Sequence, residues 1–171
     1  MQEKKAEEYT DKAASYIVDA EIAKAIECYK KAIEVEPNNI THYTELAMCY
    51  RGNEPKKAEE YYLKAIEIDP NDYYGYFWLG DFYEQEEEYI KAIECFQKVI
   101  ELDPDDTDNY ICLAEVYEKI KEYSKAIELY EKTIELEPED INSYYFVARA
   151  YVDTKEYLKA TEYYAIAYFR R

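Results

Sequence analysis

The chain is 171 residues long and 49% hydrophobic, enough for one ordinary domain with a sizeable core, which excludes an intrinsically disordered polypeptide. It carries 39 acidic and 21 basic residues, a net charge of −18. That charge argues against nucleic acid and anionic membrane surfaces as partners and favours basic or apolar protein segments.

The first residues, MQEKKAEEY, are charged and are not followed by an apolar stretch like that of a signal peptide. No apolar run approaches the roughly 18 residues of a spanning helix. Cys28, Cys49, Cys95 and Cys112 show no CxxC spacing, so the expectation is a cytoplasmic protein with free thiols.

From residue 6 onward the sequence repeats itself. Repeat 6–39 has Tyr9, Ala13, Tyr16 and Ala25, with Lys12 where later repeats place Leu46, Leu79, Leu113 or Val147. A charge there reads as a solvent-facing cap of the array. Repeat 40–72 sets Tyr43, Leu46, Ala47 and Tyr50 on one helical stripe, then Ala58, Tyr62, Ala65 and Ile66 on a second. It lacks one residue at Arg51-Gly52-Asn53-Glu54-Pro55, and Pro55 is predicted to start the second helix. Repeat 73–106 reads Tyr76, Leu79, Gly80, Tyr83, Ala92, Phe96 and Pro104. Repeat 107–140 carries Tyr110, Ala114, Tyr117 and Ala126, and repeat 141–171 carries Tyr144, Ala148, Tyr151 and Ala160. Pro37, Pro70, Pro104 and Pro138 end the first four repeats. Asn39, Asp72, Asp106 and Asp140 precede first helices and are expected to cap them. Glu27–Lys31, Glu60–Lys64, Glu94–Lys98 and Glu128–Lys132 are expected to pair on a solvated outer face, at roughly 0.2–0.5 kcal/mol each.

The order large–Leu–small–Tyr, then Ala, aromatic and Pro, at a period near 34, resembles the tetratricopeptide repeat family over nearly the whole chain. The resemblance implies an all-α fold: a right-handed superhelical solenoid of five tandem helix-turn-helix units, about ten antiparallel helices in a single domain spanning residues 1–171. It implies a non-catalytic scaffold or adaptor, whose first helices line a concave groove that holds a partner's peptide segment. By register the groove residues are Thr44, Met48, Arg51, Tyr74, Phe77, Asp81, Ile111, Glu115, Glu118, Tyr145 and Arg149. Thr10, Ala14, Ile17, Glu84 and Val152 extend the same wall. Tyr73, Tyr74, Tyr145 and Tyr168 have no core register, and Tyr74 and Tyr145 are predicted to face the groove. The C-terminal half is then aromatic and acidic with Arg149 as its lone cation, so the expected partner supplies apolar anchors and Lys or Arg. Family members that hold chaperone tails use a clamp of Lys, Asn and Arg. The corresponding positions here, among them Thr10, Ala14, Glu45, Tyr74 and Trp78, do not build it.

The family also closes its arrays with an extra solvating helix. Here the last helix, from Leu158, ends on Tyr163, Ile166, Tyr168 and Phe169. The alternatives are a homo-oligomer assembled through that face, or a piece of a longer repeat protein.

No catalytic, metal or cofactor site is expected. The lone histidine, His42, gives no metal pair or nucleophile–base pair and is predicted to lie on the surface. Gly75 and Gly80 form no phosphate loop, and Asp103–Asp108 lacks the glycine and distal glutamate of a calcium loop.

Overall fold

A computed structural model describes residues 2–170. The described residues form ten helices and no strand. They are α1 (Gln2–Val18), α2 (Ile22–Val35), α3 (Ile40–Tyr50), α4 (Pro55–Ile68), α5 (Tyr73–Gln85), α6 (Tyr89–Leu102), α7 (Thr107–Lys119), α8 (Tyr123–Leu136), α9 (Ile141–Asp153) and α10 (Tyr157–Phe169). Each expected repeat holds two of them, and α1 starts ahead of the expected residue 6. The chain divides into two compact units, Met1–Phe82 and Tyr83–Arg171.

In the first unit α1 packs on α2, α2 on α3 and α3 on α4. Ala13, Ala25, Ala32, Ala47 and Ala58 are wholly buried and allow close helix approach, while Leu46 and Tyr62 fill the remaining volume. Gly75 belongs to this close packing. A Cβ there would lie 2.9 Å from Cγ1 of Ile66. In the second unit α6 through α10 pack each on the next. Ala114, Ala126, Tyr130, Val147 and Ala150 form its core, flanked by Phe146 and Tyr163.

Helix starts follow from local chemistry. Side chains of Asn39, Asp106 and Asp140 accept backbone N–H bonds at the starts of α3, α7 and α9, and Asp72 Oδ1 accepts from Tyr74 N at 2.8 Å. Pro55 is the first residue of α4, as the shortened turn predicted. The other second helices begin differently. Glu21, Glu122 and Glu156, like Glu54 before α4, stand at the cap position without a side-chain cap bond and pair instead with Lys24, Lys125, Lys159 and Lys57 one turn on. Those four lysines and Lys91 lie 4.8–5.3 Å from the ring centroids of Tyr16, Tyr50, Tyr83, Tyr117 and Tyr151. The last tyrosine of every first helix thus meets a cation from the helix after it.

The register tyrosines also anchor loops. Tyr43, Tyr110 and Tyr144 donate their hydroxyls to the carbonyls of Pro37, Pro104 and Pro138 at 2.8, 2.9 and 3.0 Å. Inside four of the five repeats the turn uses a left-handed residue: Ala20, Glu87, Lys121 and Lys155 have φ between 59° and 64°. Repeat 40–72 has no such residue, because its missing position is this one.

Two expectations are corrected. The outer lysines find a glutamate on the other side: Lys64, Lys98 and Lys132 bond forward to Glu67, Glu101 and Glu135 at 2.7–2.8 Å. Glutamates at −4 and +3 share the helix face, and the forward choice draws the ammonium toward the negative carbonyl end of the helix. His42 is not on the surface. It is 6% exposed, with Nε2 3.0 Å from Glu36 Oε2, and it ties the α2–α3 loop to α3. Asn109 occupies the same register and donates to the Asp103 carbonyl at 3.0 Å. In these two repeats the position takes a polar side chain that bonds the preceding loop.

Candidate protein-binding surface

In the first unit, the first turns of α3 and α5 enclose a hollow of about 500 Å³ lined by Ile40, Thr41, Thr44, Glu45, Asp72, Tyr74 and Trp78. Thr44 and Tyr74 come together here. Thr44 is 4% exposed and its hydroxyl donates to the Thr41 carbonyl, so it gives the hollow a floor, while Tyr74 is 50% exposed. Tyr74 stacks on Tyr73 at 4.4 Å between centroids, so both have a packing role. Phe77 meets Trp78 edge to face at 5.3 Å. Farther along the helices, Arg51 donates to Asp81 at 2.7 Å and its guanidinium lies 5.9 Å from the Phe82 ring centroid. Arg51 and Asp81 are therefore committed to each other. Met48, on the same helix, is half-buried.

In the second unit, Glu84, Glu115, Glu118, Lys119 and Arg149 surround an open hollow of about 440 Å³. Lys119 pairs with Glu84 and Arg149 with Glu118, each at 2.8 Å. Arg149 also donates to the Tyr130 hydroxyl at 3.3 Å and covers Phe146 at 5.4 Å. Its guanidinium is held protonated against burial by Glu118. Glu115 makes no hydrogen bond or ion pair among the described residues, and burial, with the nearby Glu84 carboxylate, raises its pKa above the ordinary carboxylate value. Glu118 Oε1 is buried without a hydrogen-bond partner. Three carboxylates thus share two cations. Arg149 is not the lone cation expected from the sequence; Lys119, one residue beyond Glu118 and outside the groove register, also lines the hollow.

Ile111 lies at the other end of α7 and α9, in a hollow of about 380 Å³ with Thr107, Asp108, Glu137, Asp140, Asn142 and Phe146. Tyr145 is partly covered by Tyr164, 5.9 Å away between centroids.

The expected oligomer face is smaller than the sequence suggested. Tyr163 is half-buried: it stacks on Tyr151 at 5.7 Å and donates to Glu131 at 3.0 Å, so it belongs to the packing of α10 and not to a free face. Ile166, Tyr168 and Phe169 are exposed, joined by Tyr157 and Leu158. Ahead of them, a hollow of about 370 Å³ over Lys155–Lys159 is lined by one turn of chain alone.

Burial raises the thiol pKa of Cys49 to about 11 and that of Cys95 to about 12. Among the described residues no cluster of His, Cys, Asp or Glu could hold a metal ion, and no helix is long and apolar enough to cross a membrane.

The comparisons agree with this architecture. A family model for the tetratricopeptide repeat matches residues 10–73, and one described as anaphase-promoting complex, cyclosome, subunit 3 matches residues 53–133. Comparison with curated proteins returns no significant match. Among solved structures, one of MamA is 29% identical and has a TM-score of 0.79, with 98% of this chain and 92% of that one covered. A second MamA structure is 30% identical with a TM-score of 0.77, covering 92% and 93%. YrrB, described as a TPR protein with an unusual peptide-binding site, is 21% identical with a TM-score of 0.70, covering 95% and 84%. With ten helices in five repeats and these matches, the chain belongs to the tetratricopeptide repeat family.

Proposed function

We propose that this scaffold is a non-catalytic adaptor whose first helices bind a protein segment carrying basic and apolar side chains. One observation carries the reading. Glu115 sits half-buried between the Glu84–Lys119 and Glu118–Arg149 pairs and lacks a partner of its own. A carboxylate so placed is poorly hydrated and favours a cation brought by another molecule. Ile111, Phe146 and Tyr145 on the same helices offer apolar and aromatic contact area. YrrB, alike in fold, is described as having a peptide-binding site. The test is fluorescence anisotropy with two labelled peptides of equal length, one alternating leucine with lysine and the other leucine with glutamate. The basic peptide should bind saturably, and Glu115→Gln should weaken it by about fivefold. Equal binding of both peptides, or no effect of Glu115→Gln, would sink the assignment.

A second reading is self-association through α10, favoured by Leu158, Tyr168 and Phe169, which are 84%, 68% and 83% exposed. It predicts a species heavier than the monomer in light scattering that Phe169→Glu dissolves. A monomer at high concentration speaks against it.

A further inference from the structure

We propose that the hollow between the first turns of α3 and α5 is a recognition pocket for an arginine side chain of the bound segment, which rests on the reading of these helices as the binding face. The pocket offers flat aromatic walls, Trp78 and Tyr74, beside two carboxylates, Glu45 and Asp72. Each carboxylate has one oxygen engaged: Glu45 Oε2 accepts from Tyr29 at 3.1 Å, and Asp72 Oδ1 caps α5 through Tyr74 N at 2.8 Å. Neither forms an ion pair among the described residues, and the lining contains no lysine or arginine.

The chain itself fills such a combination with a cation: Lys24, Lys57, Lys125 and Lys159 do so within a repeat, and arginines do so between repeats. All three described arginines cover an aromatic ring and reach a carboxylate of a neighbouring repeat. Arg51 covers Phe82 and pairs with Asp81. Arg149 covers Phe146 and pairs with Glu118. Arg170 covers Tyr144 at 5.0 Å and lies 3.7 Å from Glu139. The pocket presents the same two components, the rings from one repeat and the carboxylates from the repeat before it, with no lysine or arginine in its lining. A planar guanidinium stacks on a ring while its edge bonds a carboxylate, whereas an ammonium presents no plane to stack. The apolar stem of the arginine would lie on Ile40.

Trp78 is the only tryptophan in the chain, so the pocket carries its own reporter. The probe is the capped tripeptide acetyl-Gly-Arg-Gly-amide, titrated into the full chain by tryptophan fluorescence, with the lysine and citrulline tripeptides alongside. The arginine tripeptide should give a saturable change, with citrulline, which has the shape without the charge, at least about tenfold weaker. Glu45→Gln keeps an acceptor for Tyr29 and Asp72→Asn keeps a good helix cap, and each should weaken the arginine tripeptide by about threefold to tenfold. Equal responses to arginine and citrulline overturn the proposal, as does lysine binding as tightly as arginine. Unchanged affinity in both charge variants also overturns it. Should a variant lose helicity, the arginine–citrulline comparison on the unaltered chain decides. Glu115→Gln, in the other unit, should leave the tripeptide signal unchanged. Loss of the Glu115 effect with this signal intact removes the Glu115 reading alone, and the converse removes the pocket alone.

Discussion

Arg51 donates from Nη2 to Asp81 Oδ2 across 2.7 Å, and two repeats later the same two register positions hold Glu118 and Arg149 with the charges exchanged. The intervening step places Glu84 opposite another acid, Glu115, and Lys119 takes Glu84 instead.

The first prediction concerns that pair. Arg51 and Asp81 are largely buried, with side chains 17% and 30% exposed. Asp81→Ala leaves the guanidinium without its main acceptor and should cost about 1–3 kcal/mol in urea unfolding. Exchanging the two, Arg51→Asp with Asp81→Arg, should recover more than half of the loss, since the chain accepts the reversed order at Glu118 and Arg149. A double variant no better than Asp81→Ala alone would show that the pair is not interchangeable.

Glu115 carries a stability cost as well as the proposed binding role. Its folded pKa is raised by burial and by Glu84. The native state therefore holds the proton more tightly than the unfolded chain, and stability is lost as pH rises through the carboxylate range. Glu115→Gln should be more stable than the parent at pH 7 by a fraction of about 1 kcal/mol, after allowing for its exposure. The two should converge at about pH 3, well below the ordinary glutamate pKa, where the carboxyl is protonated in both states. Thermal unfolding at the two pH values measures this.

The left-handed turn residues invite a stability test. Lys121 has φ 64°, a region where a side chain costs roughly 1–2 kcal/mol and glycine costs less. Lys121→Gly should stabilise by about 0.5 kcal/mol once the greater freedom of the unfolded chain is counted. Gly52 has no positive φ, so Gly52→Ala should not produce the loss expected of a left-handed site. Chemical denaturation of both variants separates the cases.

The tyrosine anchors give a fourth expectation. Tyr144→Phe removes the bond to the Pro138 carbonyl and nothing else of the ring. It should cost about 0.5–1.5 kcal/mol, and amide exchange should quicken around Glu139 and Asp140. Unaltered exchange there would mean that the hydroxyl does not hold the loop.

Much of this fold was legible because a repeat states its register several times. Tyr43, Tyr110 and Tyr144 could be aligned by eye, as could the capping residues Asn39, Asp106 and Asp140. What their side-chain oxygens bond could be foreseen only for the caps, where the donor is local backbone. The tyrosine hydroxyl reaches back over six residues and requires the loop path. His42 departs from expectation for a related reason: polarity predicts exposure, but its imidazole is buried to serve the loop before it. The groove residues are implied by the register of the family the sequence resembles, which marks the face of a helix but not the length or direction of a side chain. Thr44 is therefore buried on the expected face, and Lys119 reaches Glu84 from outside the expected register. Tyr163 and Tyr164 are neighbours, and packing alone decides that the first turns inward.

The sign reversal between Arg51–Asp81 and Glu118–Arg149 bears on how nearly identical segments avoid mistaking one another. Five similar helix pairs offer a collapsing chain many wrong neighbours with comparable apolar contacts. Docking the fifth repeat on the second would set Arg51 against Arg149, and docking the third on the fourth would set Glu118 against Asp81. Like charges in a half-buried seam repel, so these shuffled assemblies are penalised before their cores close. The charges that tie neighbours together thus also act as an address, telling each repeat which copy it follows.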